Sequence, residues 1–233
     1  MGIVITMNDA AGTTPPPTQT RKRPWIVAVV GGVASGKSLV RQILGEWGAA
    51  AIDADQIAHE VLREPGVADQ IARTVDRAVM GPDGTVDRSA LARLVFGDSP
   101  EARSRRRKLE AIIHPRVRDR IRQELAGATH ANVPVVVLDI PLLLEVGWRD
   151  LADEVLFVEA PEEVRRARAT LRGWSDEEWR QREKAQWPAE RKRASADVVV
   201  DNGGSPADLR KQLAQWWQEK TGGGPLRQAS VPP

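Results

Sequence analysis

The 233-residue chain contains no cysteine, which excludes disulfide bonds and thiolate metal sites. It also lacks any run that approaches the roughly 18 consecutive apolar residues needed to span a membrane. The short apolar patch near its start, Gly2-Ile3-Val4-Ile5, follows no basic leader and is too short for a signal-peptide core. These absences predict a cytoplasmic protein that has no membrane partner.

The chain has little excess charge of either sign. Its 34 Lys and Arg residues face 32 Asp and Glu residues, which gives a formal net charge of +2. Such a small excess leaves little counterion release to drive binding to nucleic acid, so we do not expect nucleic acid as a partner. Hydrophobic residues make up 41% of the chain, an ordinary fraction for a protein with a buried core.

Both ends of the chain have compositions that do not form a core. Residues 1–23 are rich in Thr, Pro and Gly, and residues 221–233 combine three consecutive glycines with three prolines. We predict that both segments are disordered tails. One domain is then expected over about 24–220.

Between these tails, apolar runs alternate with helical patterns. The runs predict strands at Trp25–Val30, Ala49–Ile52, Pro134–Leu138, Glu154–Val158 and Val198–Val200. The helical patterns include Ser38–Trp47, Gln56–Arg63 and Pro206–Glu219. Strands separated by helices indicate an α/β fold with a five-stranded parallel sheet. Further helical stretches at about 65–125 and 160–190 are predicted to be insertions that cover a ligand at the carboxyl ends of the strands.

The segment Gly31-Gly32-Val33-Ala34-Ser35-Gly36-Lys37-Ser38 fits the pattern G-x-x-x-x-G-K-[ST] between a predicted strand and a predicted helix. Glycines let successive backbone N–H groups converge on phosphate oxygens, and the helix adds its positive end. Lys37 is predicted to contact the β- and γ-phosphates, and the Ser38 hydroxyl to ligate Mg²⁺. The pattern predicts a P-loop NTPase three-layer fold that uses ATP and Mg²⁺. The predicted nucleotide contacts here are Gly32, Val33, Ala34, Ser35, Gly36, Lys37, Ser38 and Leu39.

Two carboxylates follow the second predicted strand. If the chain stays extended there, Asp53 and Asp55 point to one side, whereas if a helix begins there, Asp53 caps it. We predict that Asp55 is the base that accepts the proton of an acceptor hydroxyl, with Asp53 as the alternative base.

Asp139 ends the run Val135-Val136-Val137-Leu138, which is the Walker B pattern of a Mg²⁺ ligand. Glu145, shortly after it, either orients a substrate or caps a helix. On the later helical stretch, Arg168 and Arg172 are four residues apart and share a face. They predict a lid that stabilises the transferring phosphoryl group, although a solvated helix paired with nearby acids is the alternative.

Together these motifs resemble the dephospho-CoA kinase family over about residues 25–218. The resemblance depends on their order more than on any one of them. They are the phosphate loop, Asp53-Ala54-Asp55, Pro65-Gly66, Asp83-Gly84 with Arg88, His114-Pro115, Asp139-Ile140-Pro141-Leu142-Leu143 with Glu145, Arg168 with Arg172, Arg182-Glu183-Lys184-Ala185-Gln186, Lys192, Ala196-Asp197 and Asn202.

The resemblance implies transfer of the ATP γ-phosphate to the ribose 3′-hydroxyl of dephospho-CoA, with coenzyme A and ADP as products. The catalytic residues that it implies are Asp55, Lys37 and Arg168. Nucleotide contacts from Arg168 and Asn202 are added to those of the loop. Acceptor contacts are implied for Asp53, Asp55, Arg88, His114 and Leu142.

The chain departs from the family pattern at Gly173-Trp174, where more polar residues usually follow the lid arginine, and at Ala34, where the loop often has glycine. The methyl group of Ala34 is tolerated at negative φ and costs affinity at positive φ. We expect a monomer or weak homo-oligomer. The alternative functions are another P-loop small-molecule kinase and a non-catalytic nucleotide-binding regulator, while a GTPase is disfavoured because no Asn-Lys-x-Asp motif occurs.

Overall fold

The computed structural model of the protein describes residues 22–64, 66–81, 84–97 and 99–223. The predictions that involve Pro65, Pro82 and Asp83, and nearly all of both predicted tails, lie outside these residues. The chain divides into two compact units. The first combines the residues up to Ile52 with those from Gly127 onwards, and the second is Asp53–Ala126.

A five-stranded parallel sheet forms the centre of the first unit, in the order β2-β3-β1-β4-β5. Its strands are β1 Trp25–Gly31, β2 Ala50–Asp53, β3 Val135–Asp139, β4 Glu154–Glu159 and β5 Val198–Asp201. All five predicted strands are therefore confirmed, with ends shifted by one residue. Their runs of β-branched residues are typical of parallel strands that are buried on both faces.

Helices cover the sheet of the first unit. They are α1 Lys37–Glu46, α6 Glu162–Leu171, α7 Asp176–Lys184, α8 Ala189–Ala194 and α9 Pro206–Thr221. The helices predicted at Ser38–Trp47 and Pro206–Glu219 are confirmed by α1 and α9. These two helices pack on the sheet around a core in which Trp47 and Trp217 meet edge to face, with ring centroids 6.0 Å apart.

The topology identifies the edge at which a ligand is expected. Strand β1 lies between β3 and β4, so the chain leaves β1 towards one side of the sheet and later crosses to the other side. In open α/β sheets, ligands bind outside the carboxyl end of the strand at which the order reverses. The carboxyl end of β1 is Gly31, where the phosphate loop begins.

The second unit is mainly helical and contains the insertion predicted at about 65–125. It holds α2 Ala54–Val61, α3 Val67–Thr74, α4 Arg88–Val95 and most of α5 Pro100–His130. Met80 and Val86 form an isolated antiparallel bridge. Pro115 interrupts the hydrogen bonding of α5, because it lacks an N–H, and the Arg116 guanidinium donates to the Ile112 carbonyl beside it at 2.6 Å.

A buried carboxylate connects β4 to α9 at the opposite end of the sheet. Glu154 is only 6% exposed, and one of its oxygens accepts hydrogen bonds from the indoles of Trp25 (3.1 Å) and Trp216 (3.0 Å). Lys220, near the end of α9, pairs with the other oxygen at 3.1 Å. The buried charge is thereby neutralised and hydrogen-bonded, as a buried carboxylate requires.

Within the described ranges, no helix is both long enough and apolar enough to cross a bilayer.

Candidate active site

The phosphate loop, Gly31–Ser38, joins β1 to α1. Its lysine folds back over the loop, and Lys37 Nζ donates to the carbonyl oxygens of Gly31 at 3.0 Å and Gly32 at 2.9 Å. Gly36 has φ +105°, and a Cβ atom there would lie 2.0 Å from the side-chain nitrogen of Asn202. Both the backbone conformation and the space therefore require glycine at this position.

The environment of Lys37 lowers the pKa of its ammonium group to about 8. Burial is the largest cause, and the positive charge of Lys192 acts in the same direction. Asp139 and Glu183 oppose this shift because their negative charges favour the protonated lysine. Lys37 thus holds its proton more weakly than an ordinary lysine does.

Ala34 adopts φ +60°, the left-handed region that favours glycine. Its φ is therefore of the sign at which the methyl group is expected to be unfavourable. The methyl group is nevertheless buried, in a small cluster with Val33, Ala169 and Trp179. A backbone cost of about 1 kcal/mol is offset in part by this packing.

Arg168 and Asn202 bind the backbone of the phosphate loop. The Asn202 side chain, 2% exposed, donates to the Ser35 carbonyl at 2.7 Å. Arg168 donates to the same carbonyl at 3.1 Å and to the Asn202 carbonyl at 2.7 Å. The structure therefore brings these two predicted nucleotide-binding residues together on the loop backbone. Arg172, predicted to share a face of the lid with Arg168, has its guanidinium carbon 5.8 Å from the centre of the Trp174 ring.

Two charged residues that the site prediction did not include contact the third residue of the loop. The Val33 amide donates to Glu183 Oε1 at 2.6 Å, and Arg165 donates to the same oxygen at 2.6 Å. Arg165 also lies 3.4 Å from the Val33 carbonyl and is 7% exposed. A Cβ atom on Gly32 would meet this guanidinium at 2.6 Å, so the glycine permits its close approach.

Asp139 lies at the end of β3, where the metal prediction placed a ligand. One of its oxygens pairs with Arg41 of α1 at 2.8 Å. The described residues contain no cluster of three or more His, Asp or Glu side chains that could hold a metal ion. Magnesium in kinases is bound by one or two carboxylates together with substrate phosphates, so the Asp139 carboxylate fits that donor set. Leu142, in the turn that follows, is 38% exposed.

Glu145 makes contacts that neither of its two predicted roles included. Its Oε1 accepts from the Trp187 backbone amide at 2.9 Å and pairs with Lys192 at 3.0 Å. Lys192 is 1% exposed and also donates to the Gln186 side chain at 2.8 Å. Glu145 thus anchors the segment that leads from α7 into α8.

In the second unit, Asp53 is the N-cap of α2, and its side chain accepts from the Gln56 amide at 3.0 Å. The helix-cap alternative for Asp53 is confirmed. The extended alternative for Asp53 and Asp55 is wrong, because the helix already begins at Ala54. Asp55 is exposed in the first turn of this helix.

The other predicted acceptor contacts of the second unit lie on α4 and α5. Arg88 begins α4, and its guanidinium lies 2.6 Å from His59 Nε2, so this nitrogen is the acceptor. His114 is half-buried on α5, and its burial lowers its pKa although Glu110 acts in the opposite direction. The structure thus adds His59 as a neighbour of the predicted residue Arg88.

The sequence of the chain is similar to those of known proteins. Residues 25–208 match the family model described as dephospho-CoA kinase. The chain belongs to the dephospho-CoA kinase family. It is 41% identical over 199 residues to the dephospho-CoA kinase of Geobacter sulfurreducens, an alignment that covers 84% of this chain and 98% of that protein.

Solved structures agree with the fold of this family member. A crystal structure from Thermus thermophilus is similar with a TM-score of 0.72 and 39% identity, over 84% of this chain and 98% of that chain. The dephospho-CoA kinase of Campylobacter jejuni is similar with a TM-score of 0.57 and 25% identity, over 85% and 98% of the two chains. The predicted P-loop kinase fold is thereby confirmed.

The residues missed by sequence reasoning share one property: their partners are distant in the chain. Glu183 lies 150 positions from Val33 and 18 from Arg165. The sequence did indicate the segment, since Glu183 stands inside the family motif Arg182-Glu183-Lys184-Ala185-Gln186. The motif alone gave no role to the carboxylate.

Proposed function

We propose that this member of the dephospho-CoA kinase family transfers the γ-phosphate of ATP to the ribose 3′-hydroxyl of dephospho-CoA, the last step of coenzyme A synthesis. The observation that carries the proposal is the family match over residues 25–208, within which the phosphate loop retains Lys37. Family membership also supports assignment as a transferase.

The loop supplies most of the chemistry on the ATP side. Phosphoryl transfer needs positioning and charge stabilisation more than covalent catalysis. The inward N–H groups of the loop and the start of α1 would bind the phosphates, and Lys37 would exchange its two carbonyl contacts for phosphate oxygens. A phosphate beside Lys37 favours its charged form, so the lysine would be fully protonated in the complex.

Mg²⁺ is proposed to bind between the phosphates, the Ser38 hydroxyl and Asp139. When bound, the ion would neutralise charge on the phosphate oxygens. The Asp139 carboxylate already pairs with Arg41, which holds its side chain at the end of β3. Arg41 would thus orient the carboxylate that is proposed as a metal ligand.

Asp55 is the proposed base for the acceptor hydroxyl. This choice rests on the family resemblance, and the neighbouring Asp53 accepts the Gln56 amide as an N-cap. Acceptor contacts by Asp53, Arg88, His114 and Leu142 remain predictions from the family resemblance. A cytoplasmic location and a monomer or weak homo-oligomer likewise remain predictions.

A panel of acceptors tests the proposed reaction. Purified protein with ATP and Mg²⁺ would be given dephospho-CoA, adenosine, AMP or shikimate, and ADP formation would be followed. We expect ADP in amounts equal to coenzyme A with dephospho-CoA only. Turnover of another acceptor alone would assign the chain to a different small-molecule kinase activity, and ATP binding without any turnover would favour a regulator.

A further inference from the structure

The lid segment, which we define as residues 160–190, places a carboxylate on the phosphate loop. Glu183 of α7 accepts the Val33 amide at 2.6 Å. Val33 is the third residue of the loop, and a phosphate loop directs several of its backbone amides at phosphate oxygens. A carboxylate oxygen and a phosphate oxygen would compete for the same donor, since both are anionic acceptors of similar geometry.

The carboxylate is held there by Arg165. The guanidinium donates to the same Glu183 oxygen at 2.6 Å, and the pair is well shielded, with side-chain exposures of 9% for Arg165 and 24% for Glu183. Trp179 of α7 stacks on Arg165 at 5.5 Å and is itself 6% exposed. The contact is thus part of a packed arrangement in which loop, α6 and α7 meet.

Charge considerations disfavour this contact when a triphosphate is bound. Glu183 is near enough to Lys37 to favour the protonated form of that lysine. A triphosphate on the loop would place several negative charges beside the carboxylate, and like charges at short range repel strongly in a shielded site. Arg165, by contrast, would be attracted to the phosphates.

We infer that Glu183 and the phosphate groups of ATP compete for the Val33 amide of the loop, so that Glu183 must leave this donor when ATP binds, releasing Arg165 to the phosphate groups. This inference rests on the proposed function only in taking the loop to bind a triphosphate. Glu183 is then a positioning residue that weakens nucleotide affinity and couples the phosphate loop to the lid segment. A purely structural role for Glu183 predicts the opposite effect, because its loss would disorder the loop and weaken binding.

The variant Glu183→Gln tests the inference, because glutamine keeps the size and an acceptor oxygen but loses the charge. Affinity would be measured by calorimetry for a non-hydrolysable ATP analogue and for tripolyphosphate. We expect both ligands to bind about tenfold more tightly, the difference between a charged and a neutral acceptor on one donor. The control is Glu177→Gln on the same helix, where Glu177 is exposed and accepts only from Gln181 at 3.0 Å among the contacts described.

Unchanged or weaker binding of tripolyphosphate by Glu183→Gln would overturn the inference. If that variant does not fold, as judged by its melting temperature, NMR of the unaltered protein replaces it. The carboxyl carbon of Glu183 and the amide of Val33 should then both shift when tripolyphosphate is added, and constant resonances would contradict the exchange. Neither experiment contains dephospho-CoA or another phosphate acceptor. Both therefore test the role of Glu183 even if the protein does not catalyse the proposed reaction.

Discussion

At the scale of the residue, Lys37 has the most unusual environment of the site. Its ammonium is buried and faces Lys192, which lowers its pKa to about 8, and it donates to two carbonyls of its own loop. Burial therefore destabilises the protonated form, and a bound anion would stabilise it further than Asp139 and Glu183 already do. Nucleotide binding and protonation of Lys37 are expected to be linked.

This linkage predicts the pH dependence of ATP binding. Above pH 8 the free enzyme loses the Lys37 proton, whereas the complex retains it, so binding takes up a proton. The dissociation constant should rise by up to about tenfold per pH unit above 8 and change little between pH 6.5 and 7.5. Calorimetry in buffers of different ionisation enthalpy would measure both the affinity and the proton uptake.

The matched control is Lys37→Arg, since arginine stays protonated throughout this range. Its affinity, whatever its absolute value, should show no such rise between pH 8 and 9.5. A flat profile in the unaltered protein would contradict the assignment of the pKa to Lys37.

The left-handed conformation of Ala34 predicts that its replacement by glycine stabilises the protein. Ala34→Gly relieves the left-handed conformation, at φ +60°, and loses one buried methyl group. The net change is expected to raise the free energy of unfolding by roughly 0.5 kcal/mol. Ala214→Gly in helix α9 should lower it by about 1 kcal/mol, because glycine is unfavourable in a helix. Urea unfolding would compare the two, and a large loss for Ala34→Gly would mean that the methyl packing dominates.

Substitutions of Asp53, which caps α2, and of Asp55, in its first turn, are expected to affect catalysis to different extents. Asp55→Asn should lower kcat by about 10²-fold or more with nearly unchanged ATP binding, the usual scale for loss of a general base. Asp53→Asn keeps a residue that caps helices well, so a loss below about tenfold is expected. Steady-state kinetics with dephospho-CoA would decide, and a reversed order of the two effects would move the base to Asp53.

At the scale of the element, the sheet and its helices follow from local sequence. The run Val135–Leu138 is apolar without interruption and consists of three valines and a leucine, a composition typical of a buried parallel strand. The sequence predicts that the second helix begins at Gln56, whereas α2 begins two residues earlier, at Ala54. The local sequence is compatible both with a helix capped by Asp53 and with an extended backbone, so it does not determine this boundary.

The contacts of Glu154 with Trp25, Trp216 and Lys220 predict that β4 and α9 stabilise each other. Glu154→Gln leaves Lys220 without its charged partner in a site where the lysine is 14% exposed. We expect a loss of about 2 kcal/mol or more in the free energy of unfolding. Glu159→Gln is the matched control on the same strand, since its pair with Arg193 is exposed and should contribute below about 1 kcal/mol.

Urea unfolding followed by tryptophan fluorescence would measure both variants. Equal losses for Glu154→Gln and Glu159→Gln would contradict a special role for the buried carboxylate at the junction of β4 and α9.

At the scale of the whole molecule, the sequence predicts the five parallel strands and the location of the phosphate loop. Both depend on short segments whose residues determine their own backbone. The contacts of Glu183, Arg165 and Asn202 with the loop could not be predicted, because they arise when segments up to 167 positions apart meet around it. Local patterns identified the segments, and packing alone decided which of their side chains reach the loop.

The most direct test of the account is phosphorus NMR of a reaction that contains equimolar ATP and dephospho-CoA with Mg²⁺. The account predicts that one new phosphomonoester signal, assigned to the ribose 3′ position of coenzyme A, grows in step with ADP and is absent with Lys37→Ala. Loss of ATP without that signal, or a phosphate group at another position of the acceptor, would contradict the proposed reaction.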